Sequence, residues 1–156
     1  ITESQQYILF DKKSFQQCAH ESYFRAEEKI IYRFIANKFI MAYDDKQRLT
    51  LNSANILIPK IGIPIKVVLA IFQSNIGQFL FKVKFNSIKI LRNHIESIPI
   101  FIFDMNINQV IEDLVSKLIE ASSTEAIKLE KDLNDVIYKS LLLNEYDIEI
   151  IENFLL

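Results

Sequence analysis

Two hydrophobic periods divide the chain. Between residues 29 and 58 the pattern is that of strands. Ile30-Ile31-Tyr32-Arg33-Phe34-Ile35 and Phe39-Ile40-Met41-Ala42-Tyr43 concentrate β-branched and aromatic side chains, and Asn37-Lys38 between them predicts a hairpin turn. A meander is expected to continue past the polar loop Asp44–Arg48. Leu49-Thr50-Leu51 and Ile56-Leu57-Ile58 flank the hydrogen-bonding cluster Asn52-Ser53-Ala54-Asn55, and Pro59 ends the run. From Pro64 the spacing becomes helical. Val67, Val68, Ile71, Phe72, Ile76, Phe79, Leu80 and Val83 share one stripe, which predicts a single amphipathic helix to about Val83 with proline at its first position.

A loop is expected around Phe85–Arg92. Ile98-Pro99-Ile100-Phe101-Ile102-Phe103 reads as a buried or edge segment, the edge being favoured because proline has no N–H to donate to a ladder. Helices follow. Ile107, Val110, Ile111, Leu114, Val115, Leu118 and Ile119 recur at helical spacing behind Asn106 and Gln109, which have the form of a capping box. Ser122 with Glu125 opens a second helix, striped by Leu129, Leu133, Val136, Ile137 and Leu141, and Asp147–Phe154 is a short third. The fold class expected is therefore α/β or α+β: a small mixed or antiparallel sheet with one helix packed on it, then a C-terminal helical subdomain. The expected boundary places a first domain at residues 1–104 and the helical subdomain at 105–156.

Composition narrows the class. With 156 residues, half of them hydrophobic and only 2 Gly and 3 Pro, the chain has the length and apolar content for one folded domain and not for a disordered or fibrous segment. Cys18 is the single cysteine, so no internal disulfide or cysteine zinc site can form, and His20 and His94 do not change that. No apolar run approaches the roughly 18 residues of a membrane span, and no charged-then-apolar leader opens the sequence; the expectation is a cytoplasmic protein with no membrane partner. The chain begins at Ile1 instead of Met, which favours a fragment of a longer protein.

Charge changes the picture most. The net charge of −2 conceals three regions. Residues 1–45 hold six bases and seven acids, residues 46–95 hold eight bases and no acid, and residues 96–156 hold four bases and thirteen acids. Such asymmetry marks a polyanion-binding stretch set against a solvated or partner-facing one. Within the acid-free stretch, Lys82, Lys84, Lys89 and Arg92 alternate with apolar anchors while Asn86 and Ser87 add neutral donors. Together they suit contacts to phosphate oxygens from a rigid frame. Base reading asks for Arg toward guanine and Asn or Gln toward adenine. Arg33, Gln47, Arg48, Asn52 and Asn55 are the candidates.

Other chemistry is thinly supported. The two glycines, Gly62 and Gly77, are far apart, so no glycine-rich phosphate loop exists, and no Asn/Asp-Pro-Pro-aromatic loop for a flipped adenine is present; no cofactor is expected. Asp11, Glu27 and Lys29 supply two carboxylates and a lysine, the set for Mg²⁺-assisted hydrolysis, but Glu-x-Lys is common in so charged a chain and reads better as a solvated strand entry. Phe24, Tyr32, Phe34, Phe39, Phe72, Phe79 and Phe81 follow strand and helix periods and read as core in preference to a stacking platform for single strands.

A family resemblance runs through the same residues. The series Lys29-Ile-Ile-Tyr-Arg-Phe-Ile35, Ala42-Tyr-Asp44, Leu51-Asn-Ser-Ala-Asn-Ile56 and Phe85-Asn-Ser-Ile-Lys-Ile-Leu-Arg-Asn-His-Ile-Glu-Ser-Ile-Pro-Ile100 resembles the TaqI-like specificity domain of adenine-specific restriction-modification enzymes. Asn134-Asp-Val-Ile-Tyr138 and Glu145-Tyr-Asp-Ile-Glu-Ile-Ile-Glu152 resemble the closing helices of those proteins. The segment Phe85–Ile100 with Asn108-Gln109-Val-Ile111 is also similar to the repeated recognition unit of type I specificity subunits. The resemblance implies a non-catalytic domain that reads double-stranded DNA and positions one adenine for a methyltransferase domain N-terminal to it, with or without a nuclease in the same parent. The alternatives are a module that docks a protein through its acidic helical end, and a small Mg²⁺-dependent nuclease.

Overall fold

The computed structural model describes residues 9–15 and 18–156. A short helix α1 (Glu21–Phe24) leads into three strands, β1 (Lys29–Arg33), β2 (Met41–Asp44) and β3 (Ala54–Leu57). Seven helices in all are described, the rest being α2 (Ile65–Gln73), α3 (Asn75–Phe85), α4 (Arg92–Glu96), α5 (Met105–Glu120), α6 (Ser123–Ser140) and α7 (Glu145–Leu155). The fold is α+β, as the two hydrophobic periods predict.

The sheet is antiparallel throughout, but its order is β2-β1-β3 and not that of a meander. Asp44 is the cause. Its carboxylate accepts hydrogen bonds from the Lys46 and Arg48 backbone N–H groups, and Gln47 takes a positive φ of 52°. These bonds stop β2 and turn the chain away, so Leu49–Leu51 forms no strand. The chain re-enters at Ala54 on the other side of β1. The β1–β2 connection is likewise longer than a two-residue hairpin at Asn37-Lys38. Phe39 is buried against Phe72 and Phe81, with ring centroids 5.0 and 4.6 Å away. Its backbone is satisfied by Gln78, whose Oε1 accepts from Phe39 N at 2.8 Å and whose Nε2 donates to Phe39 O at 3.0 Å. Burial of that ring, worth about 1.5–3 kcal/mol, outweighs the preference for a tight turn.

The helical stripe from Pro64 is two helices instead of one. Pro64 is the N-cap of α2 and not its first helical residue. At Ser74 the backbone leaves helical geometry, and the Ser74 hydroxyl donates to Ile71 O at 2.7 Å and accepts from Gly77 N at 3.2 Å. Gly77 permits the break, since a Cβ there would lie 2.1 Å from Ile71 O. Helix α2 runs through the middle of the molecule. Val67 to Phe72 are all buried, because the sheet covers one side of α2 and α5 another. Helix α7 packs on α3 and α6 on α5, and Ile111, Val115, Leu133, Ile137, Tyr138 and Ile151 join the cluster that contains Ile30, Val67 and Phe81.

Capping differs from expectation at one end. Asp104, not Asn106, caps α5 by accepting from Ile107 N at 2.9 Å, and Gln109 reaches forward to Asp113. The Ser122–Glu125 box at the start of α6 forms as the sequence predicts. Ile98 and Phe103 are buried, but the segment they bracket pairs with no strand and leaves Ile102 exposed. The seven aromatics read as core are all buried or half-buried. Among the described residues no helix is long and apolar enough to cross a membrane.

Candidate nucleic-acid interface

The candidate interface is organised by the backbone of Phe34, just beyond β1. Its N–H donates to Ser53 O at 3.1 Å and its carbonyl accepts from Ile90 N at 2.8 Å. One residue on, Ile35 and Lys89 form an isolated antiparallel bridge. The basic loop after α3, the end of β1 and the turn before β3 are thereby fastened side by side, although they lie up to 56 positions apart in sequence.

The basic loop is rigid for identifiable reasons. Asn86 ends α3 in the left-handed region (φ 39°), a conformation its short polar side chain tolerates. Ser87 Oγ accepts from Lys89 N at 3.1 Å and bonds Lys89 O at 3.0 Å, closing a small turn. Ile90 is fully buried beneath it. His94 stacks on Phe85 at 4.2 Å, and its Nδ1 accepts from Leu91 N at 3.4 Å, which caps α4. Lys84 Nζ donates to Ser97 O at 2.8 Å and lies near the Phe85 ring. Lys82 is half-buried, Lys89 exposed.

Arg92 has a partner that the acid-free window conceals. Glu96 lies one residue past that window and one helical turn along α4, with Oε1 2.6 Å from Arg92 Nε. Both side chains are exposed, so the pair is weak and a phosphate can replace the carboxylate. The i,i+4 spacing of Arg92 and Glu96 was the available signal. Arg33 and Lys89, by contrast, hold no ion pair among the described residues.

The base-reading candidates are divided by the sheet. Asn52 is exposed in the turn before β3, next to Ser53, whose carbonyl bonds Phe34, and two residues before Ala54, which opposes Arg33 in register. Asn55 is half-buried opposite Tyr32. Burial raises the pKa of the Tyr32 phenol, and the hydrogen bond to the Asn55 amide partly offsets that rise. Asn52 and Asn55 also line an open recess of about 930 Å³ along β3. Arg48 stands elsewhere. Its guanidinium lies 2.9 Å from Asp44 Oδ1, at the opposite end of β1 and roughly 13 Å from Arg33 by strand rise. Gln47 lies in the same distant turn.

Asp44 is the centre of a buried charge cluster. Lys29 Nζ lies 2.5 Å from Asp44 Oδ2, donates to Phe24 O at 2.8 Å, and both side chains are fully buried. Burial alone would push the Asp44 carboxyl up; Lys29 and then Arg48 more than reverse this and hold it below the ordinary carboxylate range. The lysine of the nuclease alternative is thus engaged with Asp44. Asp11 accepts from Lys13 N and Ser14 Oγ in a 3-10 turn, Lys12–Ser14. Among the described residues no group of three or more His, Cys, Asp or Glu side chains is placed to hold a metal ion.

Comparison with known families matches residues 1–100 to the TaqI-like C-terminal specificity domain. The match spans the sheet, α1 to α4 and the whole acid-free window, and ends before α5. Comparison with curated proteins finds no match. With most of its length covered, the chain belongs to the TaqI-like C-terminal specificity domain family, the DNA-specificity modules of restriction-modification enzymes.

Proposed function

We propose that this domain binds double-stranded DNA and positions one adenine for a methyltransferase domain of its parent protein, while carrying no catalysis of its own. The observation that supports the reading is the seam at Phe34, whose backbone fastens the end of β1 after Arg33 to the Asn52-Ser53 turn and to the loop that carries Lys89. Lys82, Lys84, Lys89 and Arg92 serve as phosphate contacts, with Asn86 and Ser87 holding their register. Asn52 and Asn55 face the bases, and Arg33, next to the Ile35–Lys89 bridge, adds a phosphate contact. This division follows the chemistry of the duplex, where cations position the protein and amide or guanidinium groups discriminate base edges. Arg48 belongs to the Asp44 cluster and acts on stability instead.

The test is selection from a randomised duplex pool by the purified chain. Enrichment of one short sequence, abolished by raised salt, supports the reading. Equal retention of all sequences, or of none, refutes it.

A further inference from the structure

Ile35 is a large aliphatic side chain left 59% exposed on a backbone that is held rigidly. Successive N–H groups point to opposite sides here: Arg33 N donates to Ile40 O at 3.0 Å, and Phe34 N to Ser53 O at 3.1 Å. The backbone bends at Phe34, yet exposure keeps alternating, with Arg33 and Ile35 exposed and Phe34 half-buried, which puts Arg33 and Ile35 on one face and Phe34 on the other. Lys89 opposes Ile35 directly in the bridge, and directly opposed residues share a face. One outward stripe results, Arg33, Ile35 and Lys89, in which an isoleucine stands between two cations that hold no ion pair among the described residues. Phe34 is half-buried and Ile90 fully buried, so neighbours of similar character do find cover and Ile35 does not.

Cations alone suffice to bind phosphate. An apolar group fixed between them fits a surface that presents an apolar group between phosphates, and in duplex DNA the C5-methyl of thymine in the major groove is that group. The geometry points to Ile35 as a sequence-reading residue that packs on a thymine methyl while Arg33 and Lys89 meet the flanking backbone. This inference rests on the proposed DNA-binding reading and adds to it the base that one position selects.

The test starts from the duplex enriched from the randomised pool, with each thymine replaced in turn by 2′-deoxyuridine, which lacks only the methyl. At one position the replacement weakens binding of the unaltered chain about three- to fivefold, the worth of one buried methyl-sized group. Ile35→Ala binds both duplexes equally, and Ile35→Val keeps part of the discrimination; an unchanged unfolding midpoint shows that both variants are folded. Lys89→Ala weakens both duplexes alike. An enriched site without thymine, no position sensitive to uracil, or discrimination that survives Ile35→Ala overturns the assignment of Ile35 and leaves DNA recognition standing. If no sequence is enriched, the DNA-binding reading fails and this inference with it.

Discussion

The Phe34 carbonyl accepts a hydrogen bond from the Ile90 backbone at 2.8 Å, and that bond, with the Ile35–Lys89 bridge beside it, joins the basic loop to the end of β1. Ile90 is fully buried, so its side chain anchors what its backbone fastens. Ile90→Ala should cost about 2–5 kcal/mol of unfolding free energy, as large-to-small core substitutions do. Because the loop is seated by that side chain, duplex affinity should fall in the folded variant too. Urea unfolding followed by anisotropy on a labelled duplex under native conditions separates the two effects.

The Lys29–Asp44 pair predicts a directional response to substitution. Removing one member leaves the other buried and uncompensated, at a cost of about 3–5 kcal/mol. Asp44→Asn should lose that much. Replacing both, as Lys29→Met with Asp44→Leu, should recover a large part of it, because the cost lies in the stranded charge. Urea midpoints of the three variants measure the coupling.

The same carboxylate sets an acid limit. Lys29 and Arg48 hold the Asp44 pKa below its ordinary value of 3.8, so the native state binds this proton less readily than the unfolded chain does. A depressed carboxylate contributes its full stabilisation above the unfolded pKa and loses it as pH falls through the folded value. The chain should therefore hold its stability down to about pH 5 and lose it progressively below pH 4. In Asp44→Asn the fall in unfolding free energy between pH 5 and pH 3 should be shallower.

The break between α2 and α3 depends on two small residues. Gly77→Ala should destabilise strongly, since the new methyl meets the Ile71 carbonyl at 2.1 Å. Ser74→Ala removes the cap and should cost about 1 kcal/mol. A thermal scan that ranks the glycine variant well below the serine variant supports this account of the bend.

How much of this was legible in the sequence depends on how local its cause is. Helices α5, α6 and α7 follow from their own apolar stripes, and the Ser122–Glu125 cap from a four-residue pattern. The strands around Ile30 and Met41 follow from their β-branched and aromatic content. The order of the strands does not, because it is decided by a side chain, Asp44, that captures Lys46 and Arg48 and so turns the chain across β1. The break at Ser74 is invisible to periodicity, since the apolar stripe keeps its spacing across it. For the interface, the basic loop was readable as a charge anomaly. That it lies against Arg33 and Asn52 was not, because Phe34 joins them through backbone bonds that any sequence can make. The exposure of Ile35 escaped for the same reason: an isoleucine in a strand reads as core until both faces are known.

The central claim, that the Phe34 seam gathers a DNA-contacting surface from which Arg48 is excluded, is tested most directly by the salt dependence of duplex binding. Each phosphate contact contributes roughly 0.9 to the slope of log K against log salt. Arg33→Ala with Lys89→Ala should lower that slope by about two, while Arg48→Ala should lower stability and leave the slope unchanged. A slope unmoved by the double variant, or reduced by Arg48→Ala in a folded protein, would contradict the account.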